Sequence, residues 1–461
     1  MPDQNTLPMK PTAGMQTTQP RDGKLEPRVL QRDEHNISRR NISKGALNVI
    51  YDLTKAGFEA YLVGGGIRDL MLGMSPKDFD VATNATPEQI KALFRRSRIV
   101  GRRFRIVHVR FGREVIEVTT FRAGQNDPEQ SNSPLDTSQV TSESGMLLRD
   151  NVFGSVEEDA LRRDFTINAL YYSIDGFRVI DYAGGLADLE NRLIRIIGDP
   201  ETRYLEDPVR MLRALRFAAK LNFNVESDTL APLSRLAPAL REVSSARLFD
   251  EVNKLLLNES AVECLKLVID HGLFHELFPK VGPRLTAHPG YLDILLAALE
   301  NTASRVQAQK PVTPAFLFAA LLWPRVHQLC EENIADGCTP QRAMQMAGFQ
   351  AIDEQVLTIT IPKRFSIAMR EIWSLQRSLL TANNKRALTL LSHPRFRAAY
   401  DFLLVREAAG EKLQRGADFW TELQIQHPEA LNSDQRKSRR YNNRGGRHRG
   451  KPARSGNNRS S

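Results

Sequence analysis

Cysteine is scarce in this chain, with only Cys264, Cys330 and Cys338 among 461 residues. An odd count without metal-ligand spacing excludes a disulfide framework and a thiolate zinc site. It fits a reducing, cytoplasmic compartment with buried structural thiols. No apolar run is long enough to span a membrane, and the first thirty residues are polar and proline-containing, so neither a membrane span nor a signal peptide is expected. Acidic residues are missing from the C-terminal stretch. Between Arg436 and Ser461 there are ten Lys or Arg and no Asp or Glu. The whole chain has 64 basic and 54 acidic residues, and 64 − 10 leaves 54 against 54. The net charge of +10 therefore resides in the tail, while the body is balanced. The length suits about two to four domains.

The centre of the sequence is Tyr61-Leu-Val-Gly-Gly-Gly-Ile-Arg-Asp-Leu and the nearby Lys77-Asp-Phe-Asp-Val-Ala. An apolar strand ending at Val63 runs into Gly64, Gly65 and Gly66 and then a short helix closed by Gly73. Glycines at a helix N-terminus let backbone N–H groups approach a phosphate, and Arg68 adds positive charge. Asp78 begins the next predicted strand. Residues i and i+2 of a strand share a face, so Asp78 and Asp80 project together while Phe79 turns to the core. Two adjacent carboxylates call for a cation, and hard oxygen donors with few protein groups suit Mg²⁺ carrying nucleotide phosphates. Alone, each half reads as an ordinary turn or a solvent-facing pair. Together they point to phosphoryl transfer.

The pattern Gly-Gly-x-x-Arg-Asp followed by Lys-Asp-x-Asp resembles the DNA polymerase β-like nucleotidyltransferase superfamily. Within it, the chain resembles the class II branch containing tRNA CCA-adding enzymes and bacterial poly(A) polymerases. The resemblance implies a palm-like head, nucleotide addition to RNA 3′ ends, two Mg²⁺ ions on Asp78 and Asp80, and a triphosphate held by Gly64, Gly65 and Arg68.

Ahead of this centre, residues 1–40 lack apolar periodicity and read as mostly disordered. Asn41 to Gly57 forms a helix with Ala46, Val49, Ile50 and Leu53 on one face. Thr86-Pro-Glu-Gln89 is a capping box. Ile106–Phe111 and Val115–Thr120 read as strands around Gly112-Arg113. Glu117 on the second is either a third metal-site carboxylate or a half-exposed strand residue. Arg95, Arg96, Arg98, Arg102, Arg103 and Arg105 form a basic segment facing RNA or triphosphate, or solvent. Residues 123–144 are a polar insertion.

Ser155-Val-Glu-Glu158 opens another helix, and the stretch from Asp164 to Ile174 reads as a strand turned at Asp175-Gly176. Arg162-Arg-Asp-Phe-Thr-Ile-Asn-Ala-Leu matches the second family signature. It implies that Arg163 and Asp164 face the nucleotide, with Asp164 in the acidic site or on the ribose. Leu193 to Ile197 reads as the head's last strand. Glu206-Asp-Pro-Val-Arg-Met-Leu-Arg-Ala-Leu-Arg216 is the third signature, with Asp207 as a natural N-cap before Pro208. Arg210, Arg213 and Arg216 form one helical stripe opposite Met211, Leu215 and Ala218. The family pattern implies that Asp207 and Arg210 read the base, and that Arg213 and Arg216 contact the nucleotide.

Beyond Leu221 the sequence offers helices but no further chemical motif. His271 reads as structural, and Trp323, Trp373 and Trp420 read as core. The expected fold is an α+β head, a small mixed or antiparallel sheet with helices, followed by an all-α neck and body and a disordered basic tail. The expected boundaries are head 41–200, neck 201–260, RNA-docking body 261–430 and RNA-binding tail 431–461. Four features favour polyadenylation over CCA addition: Arg32-Asp-Glu-His-Asn-Ile-Ser-Arg39, Gly101-Arg-Arg-Phe-Arg-Ile-Val-His-Val109, Phe396-Arg-Ala-Ala-Tyr400 and the basic tail. The implied substrate is ATP and the implied partners are RNA 3′ ends and RNA-decay proteins. CCA addition and a non-catalytic RNA-binding role are the alternatives.

Overall fold

Two adjacent rows of residues explain the head. Tyr172, Leu62, Val81, Val118 and Val107 lie side by side across five strands and are all buried. The next row, Tyr171, Val63, Asp80, Glu117 and His108, faces the other side of the sheet. This alternation is the period-2 signature of a sheet with one fully covered face.

The computed structural model describes residues 26–101, 105–123, 140–141, 147–149, 152–413 and 416–431. The N-terminal segment to residue 25, Arg102, Arg103, most of the 123–144 insertion and the basic tail from residue 432 lie outside the described residues.

Two compact units divide the chain, with the change near Asn191. The first carries β1 (Arg28–Leu30), β2 (Ala60–Val63), β3 (Asp80–Thr83), β4 (Ser97–Val100), β5 (Ile106–Phe111) and β6 (Glu114–Thr120). After the short strands β7 (Val140–Thr141) and β8 (Leu147–Arg149) come β9 (Leu170–Ser173) and β10 (Val179–Asp181). Eight of these form one mixed sheet in the order β1-β10-β9-β2-β3-β6-β5-β4. Only β3 and β6 pair in parallel within it.

Helix α1 (Lys44–Lys55), capped by Ser43, lays Ala46, Val49, Ile50 and Leu53 on the first face. Burial of Val49, Ile50 and Leu53 contributes roughly 1.5–3 kcal/mol each. Helix α2 (Gly65–Met71) follows β2 directly, and α3 (Pro87–Leu93) starts at the Thr86 capping box. Helix α4 (Val156–Arg162) starts at the Ser155 box, and α5 (Gly185–Glu190) follows β10. Val156 and Ala160 of α4 pack with Val63, Ala82, Phe121 and Tyr171, covering one end of the second face.

Several local expectations change. The strand begins at Asp80, and Asp78 sits exposed before it. The stretch from Asp164 is no continuous strand: Thr166–Asn168 is a 3₁₀ turn, and pairing starts at Leu170. Side-chain bonds there compete with the ladder, Thr166 donating to Asp188 at 2.7 Å and Asn168 to Asp164 at 3.1 Å. The hairpin at Asp175-Gly176 has a longer loop, because Val179 pairs with Tyr172 and Ser173 N–H bonds Arg178 O. Leu193–Ile194 pairs with Asn224–Val225 in the second unit.

That second unit is helical. Helices α6 (Pro200–Glu206) and α7 (Val209–Leu221) lead into longer ones, among them Ser245–Leu256, Ala261–Asp270, Pro289–Gln307, Pro314–Ala335 and Lys363–Thr381. The helix from Pro314 continues past Trp323 through a buried Pro324. Trp323, Trp373 and Trp420 are core residues, and Trp373 and Trp420 donate their indole N–H to Ala319 O and Leu379 O. Cys264 and Cys330 are buried and Cys338 is partly so. Among the described residues, no helix is long and apolar enough to cross a membrane.

Candidate active site

The glycine turn, β3, β6 and the segment after α4 meet on the second face of the head sheet. Gly64 takes φ +75°, a region that favours glycine, and this lets β2 turn straight into α2. A Cβ at Gly64 would lie 3.6 Å from Arg163 Nη1 and 4.0 Å from Asp80 Oδ2. These three predicted residues therefore share one site. Gly66 lets α2 approach the Asp78–Phe79 backbone, since a Cβ there would lie 3.2 Å from Asp78 O and Phe79 Cδ1.

Asp80 and Glu117 are direct partners in the β3–β6 register. Burial, then the charges of Glu117 and Asp78, push the Asp80 carboxyl up to about 6, and Arg163 opposes the rise. Glu117 and Asp78 are thus both close enough to act on Asp80. Glu117 is half exposed, and its Oε1 lies 3.3 Å from Nε2 of His108, its neighbour on β5. Among the described residues, no three His, Cys, Asp or Glu side chains already form a metal cage. The site offers a partial ligand set, which fits an ion completed by substrate oxygens and water.

Arg163 is fixed on two sides, donating Nε–H to Tyr171 Oη at 2.8 Å and Nη2–H to Asp159 Oδ2 at 3.0 Å. Tyr171 Oη in turn donates to Asp159 at 2.6 Å. Asp164 Oδ1 accepts from Phe165 N–H at 2.8 Å and from Asn168 Nδ2. Asn168 Oδ1 accepts from Arg68 Nη1 at 2.7 Å. Arg68 also donates to Asp69 and is only 2% exposed, so its guanidinium is built into the support of the glycine turn.

In the helical unit, Arg210, Arg213 and Arg216 are the partly exposed stripe of α7, and Met211, Leu215 and Ala218 are buried as expected. The Asp207 carboxylate accepts from Arg247 Nη1 and Nη2 at 2.7 and 2.8 Å, and its backbone carbonyl accepts from Arg210 N–H at 2.9 Å. A bidentate pair of this kind is charge-assisted and fixes the carboxylate plane. Arg210 Nη1 donates to Glu206 at 2.9 Å and to Arg203 O at 2.7 Å. Asp159, Asn168 and Tyr171 escape sequence reading although they lie in or near the second signature, because nothing there marks which polar residue turns inward. Arg247 has no local signal at all.

The head matches the family model of the poly(A) polymerase head domain over residues 60–195. Residues 222–284 match a probable RNA- and SrmB-binding site of polymerase A, and residues 336–457 match its arginine-rich C-terminus. Poly(A) polymerase I of Salmonella typhi is 48% identical over 405 residues, covering 87% of this chain and 86% of that protein. The chain belongs to the poly(A) polymerase I family. The CCA-adding enzyme of Bacillus licheniformis is 39% identical over 232 residues, which cover 50% of this chain and 55% of that enzyme. Among solved structures, the Bacillus stearothermophilus CCA-adding enzyme in complex with CTP superposes with a TM-score of 0.55 at 26% identity. That match covers 84% of this chain and 82% of the enzyme's. The fold is thus shared with CCA-adding enzymes, and the near-full-length sequence likeness is to the poly(A) polymerase I family.

Proposed function

We propose that this chain adds AMP from ATP to RNA 3′ ends without a template, through in-line attack of the terminal 3′-hydroxyl on the α-phosphate with release of pyrophosphate. The match to poly(A) polymerase I over 87% of the chain carries this reading.

Asp78 and Asp80, with Glu117 beside Asp80, are suited to Mg²⁺: hard donors, mutual repulsion and too few protein ligands to close a shell. When bound, two such ions acidify the attacking hydroxyl and neutralise the leaving pyrophosphate. Gly64 and Gly65 admit the triphosphate close to the backbone. Arg163, held rigid by Tyr171 and Asp159, supplies positive charge near Asp80. Asp164 holds the ribose beside it. Arg68 acts through Asn168, keeping the glycine turn in place. In the helical unit Asp207 and Arg210 read the adenine edge, preset by Arg247 and Glu206. Arg213 and Arg216 contact the nucleotide. The arginine-rich C-terminus gives salt-dependent, sequence-independent affinity for transcripts in the cytoplasm, and tailed RNA is handed to RNA-decay proteins.

The experiment supplies purified chain, Mg²⁺ and an unstructured RNA with each nucleoside triphosphate separately. A long ladder with ATP alone is expected. Addition on tRNA ends that stops after CCA and needs CTP would move the chain to CCA addition. No extension of either RNA would leave a non-catalytic binding protein.

A further inference from the structure

The motif Arg32-Asp-Glu-His-Asn-Ile-Ser-Arg39 has no part in the chemistry described above, yet it builds a defined feature. A cavity of about 540 Å³ in the head is lined by Arg32, Arg39, Arg40 and Lys44 together with Tyr51 and Phe177, and Tyr172 lines it too. Tyr172 follows Tyr171 on β9 and belongs to the row on the opposite face from Asp80. The cavity is therefore distinct from the acidic site.

Its charge is unbalanced. Among the described residues, none of the four cations pairs with a carboxylate. Arg32 donates to His35 O and Arg39 to Tyr51 Oη. Like charges gathered without counter-charge create a positive potential that an anion relieves. Flat rings stand beside the charges: Tyr51 is 42% exposed, and Arg39 stacks its guanidinium 4.6 Å from the Phe177 ring centre. The wall is also deliberately held. Phe177 adopts φ +54°, an unusual conformation for a bulky residue, and His35 Nε2–H donates to its carbonyl at 2.8 Å while His35 Nδ1 accepts from Ile37 N–H.

We propose that this cavity is a second RNA subsite, binding a single-stranded stretch of the acceptor upstream of its 3′ end. Cations track the phosphodiester backbone while Tyr51 and Phe177 offer faces on which bases stack, the pairing that single-strand binders use without sequence preference. The inference rests on the reading that the chain extends RNA 3′ ends.

The test uses the full chain carrying Arg32→Gln, Arg40→Gln and Lys44→Gln together, and separately Tyr51→Leu. Binding is measured by fluorescence anisotropy with an oligo(A) of about 20 nucleotides across a salt series, and extension with that RNA and with a trinucleotide primer. The triple variant should weaken long-RNA binding about tenfold and lower the salt slope by about two, since each neutralised phosphate of a single strand contributes roughly 0.7. KM for the long primer should rise, while trinucleotide extension and KM for ATP stay unchanged, which also reports an intact fold. Tyr51→Leu should weaken long RNA without changing the salt slope. Unchanged long-RNA affinity in the triple variant, or equal losses on both primers, overturns the proposal. So does a loss of ATP affinity with long-RNA binding intact, which makes the cavity a nucleotide site. If the unmodified chain extends neither primer, the polymerase reading fails, and the binding arm still decides the subsite.

Discussion

Asp80 and Glu117 stand side by side on β3 and β6, locked together by the one parallel pairing of the head sheet. The register sets the two carboxylates level, and their repulsion adds to burial in raising Asp80 to about 6.

A pH dependence follows. The folded state favours protonated Asp80, so its contribution to stability is full below its ordinary value of 3.8 and is lost as pH rises through about 6. Without added divalent cation, Asp80→Asn should stabilise the chain at pH 8 by about 2 kcal/mol, with the gain vanishing near pH 4. It should also abolish addition while leaving RNA binding nearly intact, as should Asp78→Ala. Denaturation midpoints at the two pH values and a primer-extension assay check both. Normal turnover in either variant removes the pair from the chemistry.

Glu117 and Asp164 compete for the place of third acid. Their positions predict different losses. Glu117→Gln, next to Asp80, should weaken the Mg²⁺ dependence of activity about tenfold and lower the Asp80 titration. Asp164→Asn, anchored to Asn168 and Phe165 N–H, should raise KM for ATP with the Mg²⁺ dependence unchanged. Titrating activity against Mg²⁺ and ATP separates the two, and a reversed pattern exchanges the roles.

Arg247 should matter as much as the motif residue it holds. Arg247→Ala removes two charge-assisted bonds from the mostly buried Asp207 and should cost about 2 kcal/mol of stability. Selection of ATP over CTP should fall with it. Thermal unfolding and competition between the two triphosphates measure each effect, and selection equal to that of the parent chain would separate Asp207 from base recognition.

The glycine turn resists a side chain at two positions for different reasons. Gly64→Ala strains a backbone at φ +75° and should cost about 1 kcal/mol. Gly66→Ala instead pushes on Asp78 O and Phe79. It should lower kcat by at least about tenfold through displacement of Asp78. A Gly66→Ala variant with parental kcat would show that the Asp78 segment tolerates the shift.

Local grammar wrote much of this molecule into its sequence. The Thr86 and Ser155 capping boxes, the Gly112-Arg113 turn between β5 and β6, the buried face of α1 and the arginine stripe of α7 all follow from spacing, because each depends on neighbours a few residues away. The Gly64 turn was legible for the same reason, whereas Asp78 lies before β3 and not on it beside Asp80. What the tertiary structure alone decided is who holds whom. Asp207 is held by Arg247, which arrives from another helix with two donors. Arg68 is committed to Asn168, a hundred residues away, and Glu117 reaches Asp80 only because β3 and β6 pair in that register. Side-chain partners distant in sequence are chosen by packing and by the need to satisfy buried charge, and no local pattern encodes that choice.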